Sequence, residues 1–156
     1  MMLTTASQIH FDQVNRRFPE QTWEHVGVTS HEVVDLLGSI VPLGIWRLDI
    51  DTGLVFWSED AARIHGMEAS KGSVSLVQML TCYHPEDVAV IEELLESATT
   101  RRNGFRFVMR VKMGSGFHRL IAVAGRYRAD NGGELIGYCH EYHDMVRAVL
   151  LEEEAP

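Results

Sequence analysis

The sequence predicts a single α+β domain, in which a block of helices covers one face of an antiparallel sheet. Two short apolar runs flank a glycine-containing turn near residue 52, which is the signal of a β-hairpin. Helix start signals follow between residues 58 and 85, and from residue 105 onward apolar and polar residues alternate through runs separated by glycine-rich turns. Strands on both sides of a helical block, joined by tight turns, indicate an α+β fold.

The composition is that of one globular domain. The chain has 156 residues, of which 46% are hydrophobic and 23% charged, so it can bury a core and is not disordered overall. Its net charge of -8 argues against nucleic acid as a general partner, because a phosphate backbone would repel it. No run approaches the roughly 18 apolar residues of a membrane-spanning helix. Without a secretory signal at residues 1–8, we expect a cytoplasmic protein in which Cys82 and Cys139 are buried thiols.

A helix is predicted ahead of the domain. Residues 1–28 carry weak signals and are interpreted as a weakly structured arm. Thr29 and Glu32 then have the spacing of a capping box at the start of a helix predicted over residues 29–41. The large apolar residues of this helix recur at helical spacing: Val33, Leu36, Leu37 and Ile40. Such a stripe has to be covered by the domain itself or by a second copy of the chain.

The first half of the domain is predicted to contain two strands and then three helical pieces. The strands are residues 45–50 and 54–57, joined by a tight turn. Ser58 can cap the first helix, and Pro85 occupies the first position of a longer helix whose first turn is acidic. Between them, residues 68–75 are predicted to be a loop, followed by a short helical piece.

The second half of the domain is predicted to be three strands in an antiparallel meander. In the first of these strands Phe105, Phe107 and Met109 alternate with other side chains, as expected for a strand with one buried and one solvent-facing side. Glycine-rich turns lead into two further strands, so the predicted sheet has five strands. Residues 143–156 are predicted to form a short C-terminal helix and an acidic tail.

Four short motifs follow one another along the domain. They are Gly44-Ile45-Trp46, the turn from Asp49 to Gly53, Trp57-Ser58, and His84-Pro85-Glu86-Asp87. In this order they resemble the motifs of PAS domains. The resemblance implies the PAS fold and assigns residues 42–142 to the PAS domain.

The resemblance also implies a class of function. The chain is expected to be a standalone bacterial-type sensory module that acts by protein–protein interaction with an unidentified signalling protein. The helix over residues 29–41 would form a homodimer, since helices just before PAS cores often mediate dimers. Two alternatives stay open: a sensor fragment of a larger histidine kinase or cyclase, and an isomerase-like enzyme on an α+β cone that uses a desolvated carboxylate as its base.

PAS domains hold ligands in a cleft between the concave face of the sheet and the helices. By resemblance, ten residues are predicted to line this cleft: Trp46, Leu48, Ile64, Leu80, Tyr83, Phe105, Phe107, Met109, Leu120 and Ala122. The alternative is that these side chains pack against one another, as apolar stripes usually do. The filled core is the preferred interpretation, and regulation by a small-molecule ligand stays open.

Cofactors and catalysis lack support in the sequence. A flavin adduct would need an Asn-Cys-Arg-Phe-Leu-like stretch, and Cys82 has the wrong neighbours. His84 is the nearest candidate for a haem ligand, but its place in the helix-start motif already explains it. His140 and His143 would point to opposite faces of a strand, so they form no compact zinc site. We expect no flavin adduct, no haem, no metal and no catalytic residue.

One strand of the predicted meander carries a basic face. Arg106, Arg110 and Lys112 are predicted to line its outer side, where an acidic partner surface would complement them. A solvated face is the alternative. The acidic partner could also be the tail at residues 152–154 of the same chain or of a second copy.

Overall fold

The computed structural model describes Ile9 and residues 19–69, 71–143 and 147–153. Its helices are α1 (Ser30–Ser39), α2 (Glu59–Ile64), α3 (Leu76–Leu80) and α4 (Pro85–Arg101). Its strands are β1 (Gly44–Asp49), β2 (Leu54–Trp57), β3 (Ser73–Ser75), β4 (Gly104–Lys112), β5 (His118–Arg128) and β6 (Glu134–Glu141). Single 3-10 turns lie at Glu24–Val26 and Asp130–Gly132.

Within the described residues, six strands form one antiparallel sheet in the order β3-β2-β1-β6-β5-β4. The first strand, β1, therefore pairs with the last one, β6, in the middle of the sheet. The predicted α+β class is confirmed, but five strands were too few. The sixth, β3, lies in the predicted loop over residues 68–75, and it escapes sequence reasoning because three residues are too short to show a period of two.

The helices begin where the sequence places their caps. In α1 the Oγ1 of Thr29 accepts from the backbone N–H of Glu32 at 3.1 Å, and the Glu32 carboxylate accepts from the N–H of Thr29 at 2.9 Å. Ser58 is the N-cap of α2: its Oγ accepts from the N–H of Ala61 and also from the N–H of Ile45 in β1. One serine therefore fixes both the start of a helix and its position against the sheet.

The helices α2, α3 and α4 cover the inner face of the sheet, and the core lies between them. The long helix α4 contributes Ile91, Leu95 and Ala98, which are buried one turn apart, and it ends at Arg102 in the left-handed conformation with φ 53°. The opposite, outer face of the sheet is covered by none of these helices.

The two ends of the described chain differ from the predictions in different ways. The predicted helix over residues 29–41 is present as α1, while the arm before it is described only for Ile9 and residues 19–28, and the rest of the arm lies outside the described residues. The predicted C-terminal helix is wrong for residues 147–153, which form no helix, and residues 144–146 are not described. Barely more than one heptad of apolar spacing is too little to form a stable helix without packing. In the described part of the chain, no helix is both long and apolar enough to span a membrane.

Candidate functional site

The interior between sheet and helices is nearly filled. An apolar cavity of about 20 Å³ remains, little more than the volume that one water molecule needs. Its walls are Trp46, Leu48, Val55, Trp57, His65, Leu76, Met79, Tyr83, Ile91, Leu95, Phe107 and Val123. In this conformation the cavity has no room for a ligand of cofactor size.

The predicted cleft residues divide into three groups. Trp46, Leu48, Tyr83 and Phe107 line the cavity. Ile64, Leu80, Phe105 and Met109 belong to the same packed core but do not reach the cavity. Leu120 and Ala122 lie on the outer face of the sheet, so their predicted place in the cleft is wrong.

The error on β5 is a shift of one residue. Phe107 and Met109 of β4 pair with Val123 and Ile121 of β5, and paired residues of antiparallel strands point to the same face. Ile121 and Val123 are therefore the inward residues. The run from residue 120 to residue 124 is apolar at every position, so the sequence carries no alternation from which the register could be read.

A hydrogen-bonded pair of polar side chains lies in the apolar interior. The Nδ1 of His65 is 2.8 Å from the carbonyl oxygen of Ala61, and its Nε2 is 2.6 Å from the hydroxyl of Tyr83. Because a carbonyl oxygen can only accept, Nδ1 carries a proton, and in the neutral imidazole Nε2 then accepts from the Tyr83 hydroxyl. Both nitrogens of the ring have partners.

Burial makes the neutral state of His65 persistent. Desolvation lowers the pKa of His65 from 6.5 to about 4, although the hydrogen bond to Ala61 acts in the opposite direction. The rings of Trp57 and Tyr83 lie 5.0 Å and 5.3 Å from the imidazole, measured between centroids. Burial likewise holds the pKa of Tyr83 well above its usual value. His65 was not predicted from the sequence, because it follows α2 in a turn and has no periodic pattern around it.

The outer face of the sheet carries a wide, open groove of about 740 Å³, which we call the outer groove. It crosses β2, β1, β6 and β5. Its walls include Ile45, Arg47, Phe56, Ala124, Arg126, Arg128, Ile136 and Tyr138. No motif in the sequence pointed to it, because its residues come from four strands and only the sheet order brings them together.

One side of the outer groove is cationic. A buried carboxylate, Glu134, accepts hydrogen bonds from Asn131 at 2.9 Å, from Arg128 at 2.8 Å and from Arg47 at 3.5 Å. The hydrogen bonds from Asn131 and Arg128 hold the pKa of Glu134 below its usual range. The guanidinium of Arg47 also lies 4.3 Å from the ring centroid of Phe56.

The predicted basic face of β4 is only partly available. Arg110 bonds to both carboxylate oxygens of Asp87, at 2.7 Å and 3.2 Å, and approaches Glu86 at 3.2 Å. Although burial alone would raise it, the hydrogen bonds from Arg110 hold the pKa of Asp87 below its usual value. Arg110 thus ties β4 to the start of α4, and these ion pairs occupy the charge that was predicted to face a partner. Arg106 and Lys112 remain exposed.

The apolar stripe of α1 is uncovered. Leu36, Leu37 and Ile40 are 68%, 60% and 48% exposed, and Val33 is only partly buried. Within the part of the chain that the structure describes, α1 therefore does not bury this stripe against its own domain. The helix presents its aliphatic residues to the surroundings.

Metal ligands do not converge in the described residues, where no group of three or more His, Cys, Asp or Glu side chains could hold an ion. His84 and His118 do meet, with ring centroids 4.8 Å apart, but they form only a pair. Cys82 and Cys139 are both free. Burial raises the pKa of Cys82, and it raises that of Cys139 to about 12, so neither thiol is activated.

The fold resembles solved sensor domains at low sequence identity. A sensory box histidine kinase/response regulator from Burkholderia thailandensis E264 matches with a TM-score of 0.55 and 20% identity, over 70% of this chain and 82% of that one. The N-terminal domain of a diguanylate cyclase with PAS/PAC sensor from Marinobacter aquaeolei has a TM-score of 0.54 and 17% identity, over 64% and 94%. A domain of a putative light and redox sensing histidine kinase from Haloarcula marismortui has a TM-score of 0.58 and 16% identity, over 73% and 100%.

These structures establish the fold and nothing finer. No protein-family model matches the sequence, and no curated protein matches it either. The chain has the PAS fold, as the four motifs predicted.

Proposed function

We propose that this protein is a sensory signalling module that acts by binding other proteins, and that α1 joins two copies into a homodimer. The observation that carries the proposal is the exposed stripe of α1. Fully burying one large aliphatic side chain stabilises an assembly by roughly 1.5–3 kcal/mol before the entropic cost of association is subtracted. Leu36, Leu37 and Ile40 offer that gain to a second copy of the same helix.

Replacing Leu36 and Leu37 together by Glu tests the dimer. The protein should change from a dimer to a monomer in light scattering, because four charges cannot be buried at a helix–helix contact of two copies. Circular dichroism should stay unchanged, since neither side chain packs on its own domain.

Val77→Glu is the matched control. Val77 is an exposed aliphatic residue of α3, outside the stripe, so this charge should leave the dimer intact. A wild-type protein that is monomeric at every concentration, or a double variant with unchanged mass, would refute the α1 dimer.

A second candidate is regulation by a small ligand in the interior. The polar pair of His65 and Tyr83 at the wall of the cavity favours it, because a ligand that separated this pair could use both groups. Native mass spectrometry and an absorbance scan of the purified protein test it together. A co-purified molecule would support a ligand, whereas the mass of the bare chain and a spectrum of aromatic residues alone would favour the filled core.

We propose in addition that the module is not an enzyme and is cytoplasmic. A general base needs a carboxylate with a raised pKa, but Asp87 and Glu134, the buried carboxylates of the described residues, are paired with arginines that lower their pKa. The free thiols Cys82 and Cys139 are consistent with a reducing compartment.

A further inference from the structure

We propose that the outer groove binds residues 149–153 of a second copy of this chain. The aliphatic residues of that segment would lie on the apolar floor of the groove, and its glutamates would face the arginines on the cationic side. This surface is distinct from α1, so the proposal goes beyond the α1 dimer and can fail separately from it.

The floor of the outer groove is built from apolar residues in two rows across the sheet. The register aligns Ile45, Tyr138 and Ala124 in one row. In the next row, apolar and basic side chains alternate across the strands: Phe56, Arg47, Ile136 and Arg126. Ile45, Phe56 and Tyr138 are exposed, although each lies in the middle of a sheet. Apolar side chains gathered in a concave surface of this size are typical of a binding site.

The arginines of the groove lie in this second row and in the row after it, on the side away from Ile45 and Tyr138. Arg47 and Arg128 share the single carboxylate Glu134, and Arg128 also approaches Asp130 at 3.3 Å. Arg126, in the same row as Ile136, is exposed and has no ion pair among the described residues. The groove therefore keeps positive charge in a chain whose net charge is -8, which favours an acidic occupant.

The C-terminal segment has the matching chemistry. Val149, Leu150 and Leu151 are 84%, 62% and 85% exposed, so three consecutive aliphatic side chains lack an apolar surface. Two exposed glutamates, Glu152 and Glu153, follow directly. Along the segment, aliphatic residues come first and acids second. Across the groove, the row of Ile45 and Tyr138 comes first and the arginines second, so the two orders match.

The spacing also agrees. Tyr138 and Arg126 are one strand apart and two residues apart along the strands, which is about 8 Å. In an extended segment, Leu150 and Glu152 point to the same side and are about 7 Å apart. Leu150 beside Tyr138 would therefore place Glu152 within reach of Arg126.

Two other occupants from the same chain fit less well. The segment of the same copy is not seated on its own groove, as its exposure shows. The helix α1 of a second copy contains two acids, of which Glu32 is engaged in its own capping box, so it offers Asp35 alone where the segment offers Glu152 and Glu153. The free segment of a second copy is the occupant that satisfies both the floor and the cationic side.

A peptide of residues 147–156, labelled with fluorescein, tests the proposal against the full-length protein by fluorescence anisotropy. We expect saturable binding that weakens as salt is raised, because the acidic half of the contact is screened. Arg126→Glu and Tyr138→Ser should each weaken binding by about tenfold, one by reversing a charge and the other by removing a floor side chain.

Arg101→Glu is the matched control, since Arg101 is exposed at the end of α4 and has no part in the groove. It should change the affinity by less than about twofold. A peptide with glutamine at positions 152–154 should bind more weakly than the native one. The Leu36→Glu, Leu37→Glu variant should bind the peptide as the wild type does.

Four results would overturn the proposal. The first is no peptide binding up to about 1 mM protein, and the second is binding that neither Arg126→Glu nor Tyr138→Ser weakens. The third is peptide binding that becomes tighter when α1 carries the two glutamates, which would place α1 in the groove. The fourth uses the full-length Leu150→Ser, Leu151→Ser protein. If it binds the peptide more tightly than wild type by a factor independent of protein concentration, the segment occupies the groove of its own copy.

Discussion

His65 and Tyr83 illustrate how single residues determine the character of this core. Many residues at this face are aliphatic or aromatic, yet two polar groups are buried among them and satisfy each other at 2.6 Å. Tyr83 was predicted to face the cleft, and it does line the cavity. His65 was not predicted. Its burial depends on how closely α2 approaches the segment before α4, and no local sequence pattern indicates that approach.

Tyr83→Phe should destabilise the fold. The change removes the donor to His65 Nε2 and leaves a buried acceptor without a partner, which costs about 1–3 kcal/mol. Urea unfolding at pH 8 measures this loss of stability. Tyr138→Phe is the matched control, because Tyr138 is exposed and its hydroxyl makes no hydrogen bond that the described residues show; its effect should stay within about 0.5 kcal/mol. Equal stabilities of the two variants would contradict the role given to the pair.

At the scale of elements, two glycines allow β1, β5 and β6 to pack closely. The indole of Trp46 lies against Gly125 and Gly137, which are paired across β5 and β6, and its Nε1 donates to the carbonyl of Tyr138 at 3.2 Å. A Cβ on Gly137 would meet the carbonyl oxygen of Ala124 and would lie 2.6 Å from the ring of Trp46. Neither glycine is in a turn, so the reason for both is space.

Gly137→Ala should therefore destabilise the protein by about 1–3 kcal/mol or more, since the added methyl collides with backbone and cannot be relieved by a rotamer change. Thermal unfolding followed by circular dichroism measures the loss. Gly114→Ala serves as control, because a Cβ there meets nothing within 4 Å and the backbone needs no positive φ. A Gly137→Ala melting temperature equal to that of Gly114→Ala would contradict the close packing.

At the scale of the whole molecule, ionisation of buried groups links stability to pH. The pKa of His65 is depressed in the folded protein, so its contribution to stability is complete above about pH 6.5 and is lost as pH falls toward 4. Asp87 and Glu134 also have lowered pKa values. As carboxylates, they contribute stability above their unfolded pKa values and lose it at still lower pH.

The free energy of unfolding should be about 2 kcal/mol lower at pH 5 than at pH 8. This is the difference expected when one histidine takes up a proton on unfolding, with a pKa of 6.5 in the unfolded state and about 4 in the folded state. Urea titrations at the two pH values measure this difference. In His65→Gln this difference should shrink, whereas His25→Gln, at an exposed position, should leave it unchanged. Parallel pH profiles of wild type and His65→Gln would exclude His65 as the source.

The sequence by itself determined the class of fold, the starts of α1, α2 and α4, and the inward face of β4. Each of these depends on neighbours along the chain: a cap three residues away, a proline at a first helical position, or an alternation of two. The tertiary structure alone decided the short strand β3, the inward residues Ile121 and Val123, and the pairing of Arg110 with Asp87. It also decided that α1 is uncovered and that four strands form the outer groove, because burial and charge pairing depend on segments far apart in the chain, and their approach has no local signature.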